Sequence, residues 1–383
     1  MTQWPTFSLG TAIELAYGKS LPKNSRVEGG SVPVYGSNGI TGWHDTAVVN
    51  GPTVIIGRKG SAGAVQFVDG LCFPIDTTYY VRLREGFDFD IKFLFYLLRQ
   101  LDLSRLKTAT GVPGLTREDA YREKIAVPPL PEQRRIVDLL SRAEGIVRLR
   151  REAEKKAAEL IPALFLDMFG DPAKNPKGWP KAFLPDVLSR PFKNGLYLPK
   201  GKYSPDGSGI GVEMVHMSDA FYGEVKRGHL RRVLADAKQI QDYGLTRTDL
   251  LVARRSLNFE GAAKLCGVPE SEQPLLFESS FIRLTPRLDT VRTEYLLHYL
   301  NNESTRKAYV LSRISGITIS GINQAAMNQI PVLLPPMQVQ DGFADKVSEV
   351  QSIQSQQSTA TNKAQATFDA LLAKAFSSNG ASG

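Results

Sequence analysis

Two stretches with the apolar spacing of a long helix constrain this fold more than any other feature of the sequence. In residues 131–170, apolar side chains recur every three or four positions, the a/d pattern of a coiled coil, with Arg150 at one seam position. Adding 207 to each number gives a second apolar set in residues 337–378. The pattern predicts an antiparallel helix pair within one chain. The seam residues expected to pack are Ile136, Leu140, Ala143, Ile146, Leu160, Phe343, Val347, Val350 and Ile353.

The two predicted helices differ in composition. About 38 helical residues at ~1.5 Å each would span roughly 55 Å. Pro162 removes one backbone hydrogen bond from the first helix and predicts a kink or a local break there. The second helix is rich in Gln and Ser, so its intrinsic helix propensity is lower. We expect it to depend on packing against the first.

A sequence repeat surrounds these helices. Trp4-Pro5 opens the first copy, Trp179-Pro180 opens the second, and each copy closes on a strand that ends in Pro-Pro. Between these landmarks, apolar strands, a basic turn and a short amphipathic helix follow in the same order. The repeat predicts an α+β (mixed α/β) fold: two tandem globules joined by two long antiparallel coiled-coil helices, with pseudo-twofold symmetry. The predicted segments are a globule at 1–130, a spacer helix at 131–170, a second globule at 171–336, a second helix at 337–378 and a disordered tail at 379–383.

Composition narrows the class of protein. With 383 residues, 42% of them apolar and 22% charged, the chain can bury two or more cores. It has no run of about 18 apolar residues, and its first ten residues lack the regions of a signal peptide, so we expect a soluble cytoplasmic protein that does not enter a membrane. The net charge of +8 arises mostly in residues 171–336, which carry 22 basic and 16 acidic side chains. This excess is compatible with a polyanionic partner, and equally with a solvated basic face.

Residues suited to catalysis are scarce. The four histidines, His44, His216, His229 and His298, form no metal-binding spacing, and no nucleophile elbow or phosphate-binding loop is present. The stretch from Gly57 to Gly63 lacks the Lys-Ser/Thr ending of such a loop. The two cysteines are too few for a disulfide framework or a thiolate metal site. We therefore expect a chain with no catalytic residues, no metal and no cofactor of its own.

The basic turns are the features best suited to binding. Each repeat has an apolar strand that runs into basic and small residues, and arginine at such a turn suits guanine or phosphate. The alternative is an ordinary solvated hairpin with basic residues. The recurrence of the turn in both repeats supports the binding interpretation about as well as that alternative. The candidate DNA contacts in the first repeat are Arg58, Lys59, Ser61, Tyr35, Asn38, Trp43 and His44. Those in the second are Arg254, Arg255, Ser256, His216, Tyr222, Lys226 and Arg227.

Four sequence motifs resemble those of a known family, the specificity subunits of type I restriction-modification enzymes. They are PVYGSNGITGW, VIIGRKGSAGAV with the later TTYYV, VPPLPEQRRI before the first long helix, and LFLDMFGDPAKNPKGWP at its far end. The resemblance covers essentially the whole chain. In the second closing segment, LLPPMQVQDGF, Gln338-Val339 stand where Pro131-Glu132 stand in the first, so the start of the second helix is less defined.

The resemblance implies a DNA reader without catalytic activity. Each globule would be a target recognition domain that reads one half of a bipartite site in double-stranded DNA. The helices would set the spacing and dock two methyltransferase subunits, and restriction/translocase subunits would join them. S-adenosylmethionine, ATP and Mg would then be bound by the partner subunits. The rival hypothesis is a coiled-coil adaptor that binds only proteins, which would leave the duplicated basic turns without a role.

Overall fold

A computed structural model describes the chain apart from residues 1–3, 108–112, 206, 221–224, 226, 271, 317 and 378–383. The tail predicted at 379–383 therefore lies outside the described residues. The chain forms two compact units. Unit 1 comprises Met1–Glu152 and Gln357–Gly383, and unit 2 comprises Ala153–Gln356. Each long helix contributes residues to both units.

Unit 1 combines short strands with helices. Its strands are β1 (Thr6–Ser8), β2 (Ile13–Tyr17), β3 (Val32–Gly36), β4 (Gly39–His44), β5 (Val49–Asn50), β6 (Thr53–Gly57), β7 (Val65–Val68), β8 (Leu71–Pro74), β9 (Thr78–Leu83) and β10 (Lys124–Ala126). Its helices are α1 (Leu9–Ala12), α2 (Ile91–Leu101), α3 (Arg117–Arg122) and α4 (Leu130–Ala158), which continues into unit 2. One antiparallel sheet has the order β2-β9-β6-β7, a second has the order β4-β3-β8-β5, and β1 pairs with β10. In the second sheet β3 and β8 run parallel.

Unit 2 repeats this arrangement. It contains α5 (Leu160–Phe169), β11 (Lys181–Phe183), β12 (Lys193–Asn194), β13 (Val212–Val215), α6 (Met217–Ala220), β14 (Arg232–Val233), α7 (Ala237–Tyr243), β15 (Leu250–Ala253), β16 (Arg255–Ser256), β17 (Leu265–Gly267), β18 (Leu275–Phe277) and β19 (Phe281–Leu284). It continues with α8 (Thr293–Asn301), α9 (Glu303–Thr305), β20 (Ser320–Gly321), α10 (Gln324–Met327), β21 (Pro331–Leu333) and α11 (Met337–Ser377), which ends in unit 1. The sheet order β12-β19-β15-β17 matches β2-β9-β6-β7, the pair β11-β21 matches β1-β10, and β13 and β18 again run parallel. The predicted mixed helix and strand fold is confirmed, while the predicted domain boundaries stay predictions.

In unit 1 the first part of α4 packs with the last part of α11. Ile136, Leu140 and Val147 from α4 and Phe368 and Leu372 from α11 are buried in one core with α2 and the β2-β9-β6-β7 sheet. Burying an apolar side chain of this size contributes roughly 1.5–3 kcal/mol. The helix pair is therefore part of the core of the unit.

In unit 2 the same two helices meet through aromatic rings. Phe343 of α11 lies 5.6 Å from Phe165 and 5.2 Å from Phe169, measured between ring centroids. Further along, the side-chain amide of Gln354 donates to the carbonyl of Ala157 at 2.7 Å. Residue numbers rise along one helix as they fall along the other, so the two segments run antiparallel within this unit.

The predicted seam needs correction at three positions. Ile146, Leu160 and Ile353 are 51%, 49% and 49% exposed, and Val147 and Ile161 are buried in place of the first two. A straight α-helix has 3.6 residues per turn and drifts away from a strict seven-residue repeat. The buried face therefore moves by one residue, because the globule's own helix and sheet, as well as the partner helix, determine which face is covered.

The predicted break near Pro162 is confirmed. Helix α4 ends at Ala158 and α5 begins at Leu160, so Pro162 is the third residue of the new helix. The first turn of a helix leaves its backbone N–H groups without intrahelical partners, and a residue without an N–H is tolerated there. The chain thus accommodates Pro162 by restarting the helix just before it.

A buried glutamine fixes the start of α4. Gln133 is 1% exposed, and its side-chain NH2 donates to the carbonyls of Pro128 and Asp88 at 2.9 and 3.1 Å. Its side-chain oxygen accepts from the backbone N–H of Asp90 at 2.9 Å. These bonds join the beginning of the long helix to the residues that lead into α2.

Gln340 has the same role in unit 2, at an offset of 207. It is fully buried, donates to the carbonyls of Pro335 and Thr290 at 2.9 and 3.3 Å, and accepts from the N–H of Arg292 at 2.8 Å. Helix α11 begins at Met337, so its start is defined despite the different residues at 338 and 339.

Candidate nucleic-acid interface

The basic turn of unit 1 follows β6 and is held by backbone hydrogen bonds on both sides. The N–H of Arg58 donates to the carbonyl of Thr77 at 2.8 Å, and the carbonyl of Arg58 accepts from Leu115 at 2.9 Å. Gly63 closes the turn with φ +82°, and a side chain there would collide with the backbone at Ser104. Lys59 and Ser61 are exposed on this turn. The turn is a rigid support for its cations.

An exposed tyrosine lies under two arginines beside this turn. The guanidinium carbons of Arg58 and Arg117 lie 5.1 and 4.5 Å from the ring centroid of Tyr17, which is 49% exposed. Cation–π contact restricts both guanidinium groups while leaving donors available. The Tyr17 ring in turn packs 5.2 Å from that of Tyr79. Burial, with Tyr17 nearby, raises the pKa of Tyr79 to about 12, so this support stays uncharged near neutral pH.

The tip of the β3–β4 hairpin adjoins the basic turn. The hydroxyl of Ser37 donates at 2.6 Å to the carbonyl of Thr77, the same oxygen that accepts from the N–H of Arg58. Asn38 at the tip is exposed, and Trp43 further along β4 is 44% exposed. The structure therefore places the tip of the hairpin next to the basic turn, whereas Trp43 pairs with Pro33 further along the strand.

Two further predicted contacts of unit 1, His44 and Tyr35, are half-buried. The ring of His44 packs edge-on against Phe73 with centroids 5.5 Å apart. Tyr35 packs beside the core residue Cys72, and burial raises its pKa. Both side chains remain partly accessible, so a DNA contact by either stays a prediction.

Unit 2 holds its basic turn in the same way. The N–H of Arg254 donates to the carbonyl of Ser280 at 2.8 Å, and the carbonyl of Arg254 accepts from Ile322 at 3.1 Å. Arg255 is exposed and pairs with Gly321 across β16 and β20. These residues border an open cleft of about 360 Å³ lined by Arg254, Arg255, Ser315, Gly316, Ile319, Gly321, Ile322 and Asn323. Arg254 therefore occupies the position that Arg58 occupies in unit 1.

Three residues of unit 2, His216, Ser256 and Arg227, were predicted to contact DNA directly, and this prediction is wrong. His216 is 2% exposed and bonded to the carbonyl of Met214 at 2.9 Å, and burial lowers its pKa. Ser256 is 4% exposed, and its hydroxyl accepts from the N–H of Asn258. Arg227 is bound to a buried carboxylate, as the next paragraph describes. The remaining two candidates, Tyr222 and Lys226, lie outside the described residues.

Arg227 forms an ion pair inside unit 2. Its side chain is 18% exposed, and two of its nitrogens lie 2.7 and 2.6 Å from one carboxylate oxygen of Glu213, which is 7% exposed. A further nitrogen donates to the carbonyl of Gln273 at 3.1 Å. Removing one partner of such a buried pair leaves the other charge uncompensated. Arg227 is therefore a structural residue.

The side chains that line the two turns carry unbalanced positive charge. Neither Arg58 nor Arg117 has a carboxylate within ion-pair distance among the residues that the structure describes, and the same holds for Arg254 and Arg255. Arginine without an acidic partner presents several donors in a planar fork that suits phosphate or the acceptor edge of guanine. Binding of an anion is the chemistry that this arrangement favours.

Metal-binding and thiolate sites are absent from the residues that the structure describes. Among these residues, no group of three His, Cys, Asp or Glu side chains is placed to hold a metal ion. Burial raises the pKa of Cys72 to about 11 and that of Cys266 to about 12, so both thiols stay protonated near neutral pH. None of the described helices combines the length and the apolar character needed to span a bilayer.

Several residues of the candidate interface were not predicted from the sequence. Tyr17, Arg117, Asn194 and Gln324 lie beside the basic turns, and Gln324 donates to Asn194 at 3.1 Å. The signal that could have found two of them is the 207-residue offset, which relates Arg117 to Gln324. Tyr17 and Asn194 are related only through strand pairing.

Comparison with known proteins agrees with this geometry. The family model described as the Type I restriction modification DNA specificity domain matches residues 1–159. The EcoprrI specificity subunit of a type I restriction enzyme from Escherichia coli is 23% identical over 171 residues, 42% of each chain. The StySPI specificity subunit from Salmonella potsdam is 26% identical over 156 residues, 39% of this chain and 33% of that one. The chain thus matches less than half the length of these curated relatives.

Solved structures extend the likeness in fold to nearly the whole chain. A type I restriction-modification S subunit from M. genitalium matches with a TM-score of 0.59 and 16% identity, over 97% of this chain and 96% of that one. A chain from a structure of complex assembly and conformational transition in the type I R-M system matches with a TM-score of 0.60 and 19% identity, over 99% of both. The fold is that of type I S subunits. The match of residues 1–159 to the Type I restriction modification DNA specificity domain agrees with the family that the sequence motifs resemble.

Proposed function

We propose that this chain is the DNA specificity subunit of a type I restriction-modification complex. Each unit reads one half of a bipartite site in double-stranded DNA, and the long helices set the distance between the two reading surfaces. The observation that carries the proposal is the duplicated turn: Arg58 and Arg254 follow equivalent strands and are held by equivalent backbone bonds, to Thr77 and Leu115 and to Ser280 and Ile322. Two anion-binding turns on related but divergent units suit a target with two different halves.

The helices supply docking surfaces in the same proposal. On α4, Leu139, Ile146 and Leu149 are 42%, 51% and 57% exposed, and their spacing of seven and three residues places them on one face. Exposed apolar side chains that share a helix face favour a protein partner. We assign this face to the docking of one of two methyltransferase subunits. Restriction/translocase subunits would then join the assembly.

The chemistry belongs to the partners in this scheme. S-adenosylmethionine would be bound by the methyltransferase subunits, and ATP and Mg by the translocase. The chain itself binds, orients and spaces the DNA, and performs no bond-breaking step. The complex would act in the cytoplasm, where the DNA is.

A protein-only adaptor is the competing function, and DNA binding distinguishes the two. Phosphate contacts release counterions, so the affinity of a reader for duplex DNA falls linearly on a log–log plot against salt, with a slope of about −0.9 per phosphate contacted. An adaptor binds duplex DNA weakly and without that slope. The described basic turns favour the reader.

The decisive experiment is methylation mapping in cells that express the chain with its neighbouring methyltransferase. Long-read detection of modified adenine should return a two-part motif with an unread spacer, and deletion of the chain should abolish it. Arg58→Ala and Arg254→Ala should each weaken recognition of a different half. Arg122→Ala and Arg247→Ala, at exposed arginines away from the turns, are matched controls. An unchanged methylome in an assembled complex would refute the proposal and support the adaptor.

A further inference from the structure

Strand pairing places Tyr17 and Asn194 at equivalent positions in the two units. Tyr17 on β2 pairs with Tyr79 on β9, and Asn194 on β12 pairs with Ile282 on β19. The carbonyls of Thr77 and Ser280 accept from Arg58 and Arg254, respectively. Tyr79 and Ile282 each lie two positions after that carbonyl, so they are equivalent. The next residue is glycine in both units, Gly18 and Gly195, where a side chain would collide with the carbonyl of Ile75 or of Glu278.

Arg117 and Gln324 are equivalent as well. Each is the first residue of a short helix, α3 or α10, and each helix is capped by the preceding side chain, Thr116 or Asn323. The residue before each cap donates its N–H to the carbonyl of the turn arginine. The side chains at these two positions therefore lie beside the same turn in both units.

The pair Tyr17–Arg117 of unit 1 and the pair Asn194–Gln324 of unit 2 differ in the hydrogen-bonding groups that they present. In unit 1, Arg117 stacks on Tyr17 at 4.5 Å and presents hydrogen-bond donors only. In unit 2, the side-chain NH2 of Gln324 donates to the side-chain oxygen of Asn194 at 3.1 Å. One amide–amide bond leaves one free oxygen and one free NH2 side by side. Unit 2 thus presents an acceptor and a donor at the position where Arg117 of unit 1 presents donors alone.

These patterns match different base edges. Guanine offers two acceptors, O6 and N7, in the major groove, whereas adenine offers the N7 acceptor beside the N6 amino donor. The turn arginines Arg58 and Arg254 are shared by both units and cannot by themselves make the units differ. Discrimination has to come from positions that differ.

We propose that residues 17 and 117 of unit 1, and residues 194 and 324 of unit 2, are specificity-determining pairs of the two recognition surfaces. The Tyr17–Arg117 pair reads a guanine in one half-site, and the Asn194–Gln324 pair reads an adenine in the other. This inference rests on the proposed function and assigns base preference within it. A phosphate contact by Arg117 is the competing role.

The test exchanges the pairs in the full chain, expressed with its methyltransferase and read by methylation mapping. Tyr17→Asn with Arg117→Gln should remove a guanine preference in one half of the motif and leave the other half unchanged. Asn194→Tyr with Gln324→Arg should change only the other half, at an adenine. Arg122→Gln, on the same helix as Arg117, is the control that should change neither.

Arg117→Lys separates base reading from phosphate binding. Lysine keeps the charge but loses the planar fork, so the preference for guanine should fall roughly 5- to 150-fold if Arg117 reads that base. A wild-type motif that survives both pair exchanges overturns the inference. So does equal weakening on all DNA sequences in Arg117→Gln with full activity in Arg117→Lys, which marks a phosphate contact. Absence of any two-part motif in the wild type would instead refute the proposed function itself.

If a pair exchange abolishes methylation altogether, measurements on the purified complex distinguish a loss of base recognition from a loss of folding or assembly. Circular dichroism and co-purification with the methyltransferase establish folding and assembly. Binding is then measured on duplexes that carry the wild-type motif with each guanine or adenine replaced in turn. Loss of discrimination at one base of one half supports the inference, and unchanged discrimination at every base overturns it.

Discussion

Replacing Gln133 by leucine tests how the long helix is attached to unit 1. The substitution keeps the approximate volume but removes three hydrogen bonds, to Pro128, Asp88 and Asp90. Each contributes about 1 kcal/mol net, and the backbone N–H of Asp90 left without its acceptor adds ~1–2 kcal/mol. We expect the free energy of unfolding of unit 1 to fall by about 4–5 kcal/mol.

Hydrogen exchange followed by mass spectrometry locates the effect. Peptides that cover the start of α2 should lose protection in Gln133→Leu, while those that cover the start of α8 should not. Gln340→Leu should give the opposite result, because Gln340 accepts from Arg292 before α8. Gln100→Leu, at an exposed position of α2, is the matched control. A change below about 1 kcal/mol, or equal loss of protection in both units, would refute the reasoning.

Three further outcomes follow from the packing of unit 2, each measured by urea unfolding. Phe165→Ala should cost about 3–5 kcal/mol because the ring is 1% exposed, whereas Leu166→Ala at a 45% exposed position should cost little; equal losses would contradict this. Burial lowers the pKa of His298 to about 4, so stability should fall as the pH drops from about 6.5 to 4, by ~3 kcal/mol in total. His298→Gln should flatten that pH profile, and an unchanged profile would argue against this source. Arg227→Ala should lower stability by about 3–5 kcal/mol by leaving Glu213 unpaired, and a variant of full stability would show that the pair is dispensable.

The elements with strong local patterns were predictable from the sequence. The apolar strands after residues 52 and 249 and the amphipathic helices at 91–101 and 293–301 form where the sequence indicates. The heptad seam was predictable at Ile136 and Leu140, both buried, but not at Ile146. A coiled-coil pattern reflects packing against a partner helix alone. Here α2 and the neighbouring sheet also cover α4, and they select Val147 instead.

The candidate site likewise contains residues that a local pattern predicts and residues that only the tertiary fold brings together. Arg58 and Arg254 follow recognisable strands, so the sequence located them. Tyr17 reaches Arg117 only through the pairing of β2 with β9, and no local pattern reports that contact across 100 residues of chain. The prediction for His216 failed for a related reason, because no local pattern reports that the fold buries this side chain.

The composition of unit 1 from two separated stretches affects how the protein can fold during synthesis. Its core needs Phe368 and Leu372 of α11, whereas unit 2 needs nothing beyond Gln356. At about 5–20 residues per second, the ribosome takes roughly 10–45 s to proceed from Glu152 to Phe368. Throughout that interval the surface of α2 that Phe368 covers stays open to water and to chaperones. The first-synthesised unit is thus the later one to mature, which reverses the usual N-terminal order.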